Sequence, residues 1–276
     1  MQKSEVIHVT KDPILEEMLD ALSEMETYCN DFINKTKKLN RRKSLVLASY
    51  AAAAQYSAGI RMMNEERPMA KVSSVLLRSF FGAWANLEYI TLRKDDLYLL
   101  KELHLAQIGY EQSQSYLKAF YIENNVSKIG TLEVNKVRAD QNKSRKSQKD
   151  TLTEIKMIEP DDKKIDYSSK TYTQLKKIDV ERPFEYIEKS AYFNYLVLYP
   201  YLSSHVHLGI DGALKWFDIE GKNIKLNRSG ETIEDVKNVV WTAPALLKDI
   251  SIRAMHELSM YDEMYDKKYQ TLIDKF

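Results

Sequence analysis

The sequence predicts an all-α protein, a helical bundle of long helices with a basic mid-chain insertion and one short β-hairpin near residues 216–227. Three observations carry this reading. Gly (8) and Pro (6) are scarce among 276 residues while helix formers abound, which suits long helices joined by few tight turns. Apolar residues recur at the helical period over several long stretches. Between those stretches stand Asp12-Pro13, Pro68, Asp95-Asp96 and Pro183, the residue types that start helices.

The first helix follows from Ile14, Leu15, Met18, Leu19, Leu22, Met25, Cys29, Phe32 and Ile33 at helical spacing. Asp12 caps it, Pro13 takes the first helical position, and the pattern runs to about Leu39. After a basic break at Arg41, Arg42 and Lys43, a second helix from Leu45 to Met63 carries Ala51 to Ala54, small residues that let a neighbour approach closely. Pro68 opens a third, with Val72, Val75, Leu76, Phe80, Ala83, Leu87 and Ile90 as its apolar stripe. Asp95 or Asp96 caps a fourth, whose stripe Leu99, Leu103, Ala106, Tyr110, Leu117 and Tyr121 reaches Gly130, a left-handed terminator.

From about residue 135 to 170 apolar residues thin out and Lys136, Arg138, Lys143, Arg145, Lys146 and Lys149 accumulate. This predicts a flexible or partly ordered insertion, read either as a solvated linker or as a basic arm that touches phosphate. Pro183 opens the next helix, and Pro200 interrupts it or begins the next segment. Alternation in WFDIEGKNIKLN around Gly221 gives the hairpin. Thr232 with Asp235 resembles a capping box for a last helical stretch that Pro244 bends on its way to Leu272. A single domain over 1–276 is expected, with core helices at about 12–130 and 183–276.

Charge excludes some classes of function. Lys plus Arg (41) nearly balances Asp plus Glu (40), so no global field draws the chain onto nucleic acid or anionic lipid, and any such attraction is local. The single cysteine, Cys29, rules out an intrachain disulfide and reads as a core residue. No apolar run approaches the length of a membrane span, and MQKSEVIHVTKD lacks the apolar centre of a leader, so a cytoplasmic protein without membrane contact is expected.

Two clusters bear chemistry. Tyr199, Ser203 and His207 follow one another at spacings of four, which aligns them on one helical face. A hydroxyl beside an imidazole is a nucleophile and base pair; alternatively, His207 satisfies a polar contact between helices. His205 and His207 diverge by about 200° on a helix, so no metal is expected, and no cofactor. Arg78 lies inside the apolar third helix, where a guanidinium needs a partner or solvent. Gly82 stands one turn on, with Asn86 and Tyr89 beyond, so a glycine-floored groove beside a fixed charge predicts anion binding, with a salt bridge to another helix as the alternative. The 18 tyrosines suit core packing, or base stacking beside a basic arm.

The segments VLLRSFFGAWANLEYI and YPYLSSHVHLG resemble the bacterial domain-of-unknown-function family 5677. That family is similar in carrying an R-x-x-x-E helix and a later Y-x-x-L-S-x-x-V-H helix. Tyr199, Leu202, Ser203, Val206 and His207 match the second motif, and Arg78 begins the first, but Gly82 stands where the family tends to carry glutamate. The resemblance covers about residues 40–220 and implies an all-helical bacterial protein without supplying a reaction. A further analogy links such bundles to the ribonucleases of prokaryotic defence and toxin systems, although the Arg-x(4–6)-His spacing of those enzymes is missing before His205 and His207.

The resulting expectation is a bacterial helical-bundle protein acting as a nucleic-acid-binding or RNA-processing factor in phage defence or stress. As a metal-independent ribonuclease-like hydrolase or transferase, it would use His207 for proton transfer, Arg78 as phosphate anchor and Ser203 as orienting hydroxyl. Tyr199, Asn86, Lys143, Arg145 and Lys146 would bind RNA or a nucleotide-like anion. The alternatives are a non-enzymatic interaction module working as a homodimer and a small-anion-binding protein.

Overall fold

Asp12 and Pro13 start helix α1 (Pro13–Lys35) as their chemistry predicts, with Asp12 Oδ1 accepting from Leu15 N at 3.0 Å. The computed structural model describes residues 12–37, 39–65, 69–123, 128–160, 171–183, 185–206, 217–220, 223–226 and 233–275, with side chains at 128–133, 188, 200–201, 203–206, 217–226 and 233–235 outside that description. Two compact units emerge: Met1–Glu88 together with Leu175–Phe276, and Tyr89–Gln174.

In the first unit α1 packs on α2 (Arg41–Glu65) and on α8 (Ile233–Glu257), and α9 (Glu263–Ile273) closes against α1 and α8. Leu22, Met25 and Cys29 are fully buried on α1, as predicted. Each large apolar side chain removed from water in this way contributes about 1.5–3 kcal/mol. The centre is partly polar. Tyr269 Oη lies 3.4 Å from Cys29 Sγ and 3.5 Å from Tyr50 Oη, and Ser251 Oγ donates to Leu247 O at 2.6 Å. Burial pushes the Cys29 thiol up, away from a reactive thiolate.

Helix boundaries differ from expectation where short polar residues intervene. The basic trio Arg41–Lys43 is the first turn of α2, since Asn40 Oδ1 accepts from Lys43 N at 2.8 Å and caps the helix there. α1 ends at Lys35, where Thr36 turns extended, four residues before Leu39. Helix α3 (Ala70–Ile90) approaches α2 closely at Gly59, where a Cβ would stand 3.0 Å from Leu76 Cδ1. Pro68 lies outside the described residues.

After α6 (Thr171–Glu181), Pro183 does not open a helix. A 3-10 turn at Ile187–Lys189 follows, and α7 (Ala191–Val206) starts only after Ser190. There Asp179 accepts from Ala191 N (2.8 Å) and Tyr192 N (3.1 Å), and Ser190 Oγ accepts from Phe193 N (2.9 Å). Pro200 lies within α7 rather than ending it. Strands β1 (Phe217–Glu220) and β2 (Asn223–Leu226) form the expected antiparallel hairpin, with Phe217 opposite Leu226. Thr232 is outside the described residues.

Pro244 sits inside α8, which continues to Glu257. The last stretch breaks further on, at Ser259, whose φ of 60° lies in the left-handed region. Met260 N donates to Met255 O (2.8 Å) and Ser259 N to His256 O (3.1 Å), a Schellman termination with serine in glycine's usual place.

The second unit is built on a hairpin of α4 (Leu97–Glu123) and α5 (Lys128–Ile158). Asp95 Oδ1 accepts from Leu97 N (3.1 Å) at the start of α4, as predicted. Within the expected partly ordered insertion, residues 135–158 form most of one 31-residue helix, and residues 161–170 lie outside the described residues; Gly130 lies inside that helix rather than terminating α4. Val137, Gln141, Ser144, Gln148, Thr151 and Ile155 alternate at spacings of four and three, a heptad seam. Its centre is polar: Gln107 Nε2 donates to Ser147 Oγ (2.8 Å), Gln141 Nε2 to Ser115 Oγ (2.9 Å) and Gln148 Nε2 to Glu111 Oε2 (2.9 Å). Correspondingly, Ala106, Tyr110 and Leu117, expected in the apolar stripe of α4, are exposed. No helix among the described residues is long and apolar enough to cross a membrane.

Candidate functional site

Within the first unit α3 meets α7 through side chains far apart in sequence: the Phe81 ring lies 6.4 Å from that of Tyr195, and an arginine meets a tyrosine. Arg78 Nη2 donates to Tyr199 Oη at 2.6 Å, and the guanidinium carbon lies 4.9 Å from the centre of that ring. Tyr199 continues a ladder along α7, stacked on Tyr195 (4.4 Å between centroids), which in turn lies parallel to Tyr192 (6.5 Å). Lys176 stands over the far end, 4.7 Å from the Tyr192 ring centre. The spacing of three and four residues along α7 brings these rings onto one face.

The other half-buried arginines among the described residues find carboxylates. Arg42 Nε meets Glu257 (3.0 Å), Arg61 Nε meets Glu26 (2.9 Å) and Arg93 Nη2 meets Asp95 (2.5 Å). Arg182 and Arg253 both bond Glu88, the latter at 3.1 Å. Arg78, also half-buried, has no carboxylate partner among the described residues. Beside it the space above Gly82 is open: a Cβ there would meet nothing within 4 Å outside its own helix.

The remaining predicted residues are only partly brought together. Ser203 follows Tyr199 by one turn of α7, with its side chain outside the described residues, and His207 lies outside them altogether. Asn86 stands two turns beyond Arg78 on α3, about 12 Å along the axis, and makes no described bond to Arg78 or Tyr199. Lys143, Arg145 and Lys146 belong to the second unit, on the exposed side of α5, where Arg145 Nε pairs with Glu111 at 2.5 Å. The bond to Arg145 holds the Glu111 carboxyl below its ordinary value.

One ion cluster escaped the sequence reading. Glu88, buried near the end of α3, accepts from Arg182 and from Arg253, so one carboxylate ties α3 to α8 and to the residue after α6. Burial lowers the Arg182 pKa, and the neighbouring Arg253 charge acts in the same direction against the pull of Glu88. A glutamate inside the apolar run WANLEYI was the available signal, as costly to bury unpaired as Arg78. No group of three His, Cys, Asp or Glu side chains among the described residues is placed to hold a metal ion.

Fold and site together define an all-α protein with a half-buried guanidinium on α3 stacked on a tyrosine of α7. The chain belongs to the family of unknown function DUF5677, whose model matches residues 43–224. That span includes Arg78, Gly82, Tyr199, Ser203 and His207, the residues on which the resemblance rested. No curated protein and no solved structure matches the chain.

Proposed function

We propose that this protein binds a phosphate-bearing ligand, RNA or a nucleotide-like anion, with Arg78 as the anchor. One observation carries the reading: Arg78 alone among the half-buried arginines described lacks a carboxylate. A guanidinium has five N–H donors in a planar fork that fits two phosphate oxygens. Tyr199 takes one of them and holds the plane of the fork by stacking. A bound anion supplies the charge that the protein withholds. The exposed Lys143 and Lys146 on α5 support a local attraction to phosphate that the net charge of +1 does not provide.

On this reading the protein is a cytoplasmic bacterial factor of defence or stress response that works as a homodimer. If it cleaves RNA, His207 is the proton-transfer group and Ser203 the orienting hydroxyl, one turn past Tyr199 on α7. His207→Ala then abolishes cleavage of a labelled RNA and leaves the melting temperature unchanged; retained cleavage dismisses the assignment. The direct Arg78–Tyr199 bond favours a second reading, in which the pair only locks α3 to α7. A panel of nucleotides and inorganic phosphate in a thermal-shift assay separates the two. Ligand-dependent stabilisation that Arg78→Ala removes supports binding, and no shift with any ligand supports the lock.

A further inference from the structure

The geometry points to the outward face of α4 as the surface on which two copies of this chain pair, antiparallel, with small residues of one copy receiving the large residues of the other. The proposal specifies how the homodimer put forward above forms, and it rests on that reading.

α4 turns one side, Gln107, Glu111 and Ser115, toward α5. Near its start the opposite side meets Gln174, whose Nε2 donates to Glu102 at 3.1 Å. Beyond that point Ala106, Gly109, Ser113, Tyr116 and Phe120 are all exposed. Their spacings of three, four, three and four make a second heptad seam on the same helix, flanked by Tyr110 and Leu117. No charged residue lies on this face between Ala106 and Phe120, a length of about 21 Å. The exposed sides of α5, by contrast, are dense in lysine and arginine.

Exposure of the large residues is substantial: Tyr116 77%, Phe120 56%, Tyr110 47% and Leu117 38%. With aromatic side chains presenting about 150–250 Å² each, pairing two such faces removes on the order of 1,000 Å² from water, the lower bound of a specific interface. A stripe this apolar and this exposed calls for cover.

Residue order argues for a second copy as that cover. In an antiparallel pair with Gly109 opposite Phe120, Ser113 falls opposite Tyr116, so each of the four central layers matches a small residue with a large one. A parallel pair sets Phe120 against Phe120 and Gly109 against Gly109, overfilled at one end and hollow at the other. A Cβ at Gly109 would meet nothing within 4 Å in the single chain, which leaves room for an incoming ring. Such a face is self-complementary, as a two-fold interface requires.

Sedimentation equilibrium of the full chain, from about 1 to 200 µM, is expected to give a reversible dimer with a dissociation constant in the micromolar range. Gly109→Phe and Phe120→Ala should each weaken the dimer at least about tenfold without loss of helicity, and the double swap Gly109→Phe/Phe120→Ala should restore it, since each layer again pairs small with large. A chain that stays monomeric throughout that range overturns both the dimer and this surface. A dimer that both single variants leave intact, or one that the swap fails to rescue, overturns the surface while the homodimer stands.

Discussion

Gly82→Glu is expected to raise the stability of the first unit and to weaken anion binding at the same time. Glycine in mid-helix costs about 0.8–1 kcal/mol relative to a good helix former, and the open space at position 82 admits the new side chain without a clash. Glutamate there stands four residues past Arg78, a spacing at which an ion pair adds about 0.2–0.5 kcal/mol. The gain is therefore about 1–1.5 kcal/mol, or roughly 3–5 °C in melting temperature for a body of about 190 residues. The same carboxylate occupies the guanidinium that the ligand needs. Loss of a hydrogen bond to a charged group, about 1.5–3 kcal/mol, raises Kd by about 10- to 150-fold. A thermal melt paired with fluorescence anisotropy of a labelled single-stranded RNA at fixed salt reads both effects. A higher melting temperature with unaltered RNA affinity removes Arg78 from the anchor role, and a lower melting temperature denies that the space above Gly82 is free.

Three further outcomes follow from the packing. Glu88→Gln takes the carboxylate from Arg182 and Arg253, which keep 31% and 30% side-chain exposure; urea denaturation should show a loss of about 2–3 kcal/mol, below the 3–5 of a fully buried pair. Ser259→Gly relieves a left-handed serine, and the urea midpoint should rise by an amount equivalent to about 1 kcal/mol, whereas a fall contradicts the termination described at that residue. Burial holds the His104 pKa below its ordinary 6.5, so the unfolded chain binds more protons between the lowered value and 6.5, and stability rises with pH across that window. His104→Leu should flatten the pH dependence of the urea midpoint there, and an unchanged slope assigns the effect to another group.

Sequence and structure agree most closely where apolar periodicity and a capping residue act together. α1 shows both, from the Asp12 cap to the buried Leu22, Met25 and Cys29. α5 shows neither. Its seam is Gln141, Ser144, Gln148 and Thr151 between Val137 and Ile155, so a search for apolar recurrence passes over a genuine heptad. On α4 Leu99 is buried as its place in the stripe predicts, but Ala106, Tyr110 and Leu117 face solvent, and the side toward α5 is the polar one.

At the candidate site, the charge inside an apolar helix identified Arg78, and four-residue spacing identified Tyr199. That the two meet is a matter of tertiary packing over 121 residues of separation, which no local pattern encodes. The start of α7 was misread for a similar reason. Its cap comes in part from Asp179, on another helix, rather than from Pro183 nearby.

The most direct test of the phosphate-anchor reading compares Kd for a short single-stranded RNA between the wild-type chain and Arg78→Gln, at one salt concentration, with the melting temperature of each recorded alongside. Arg78 as an anchor predicts affinity weakened at least about tenfold in a protein that melts within roughly 2 °C of wild type. Equal affinities, or a variant whose main defect is lost stability, contradict it.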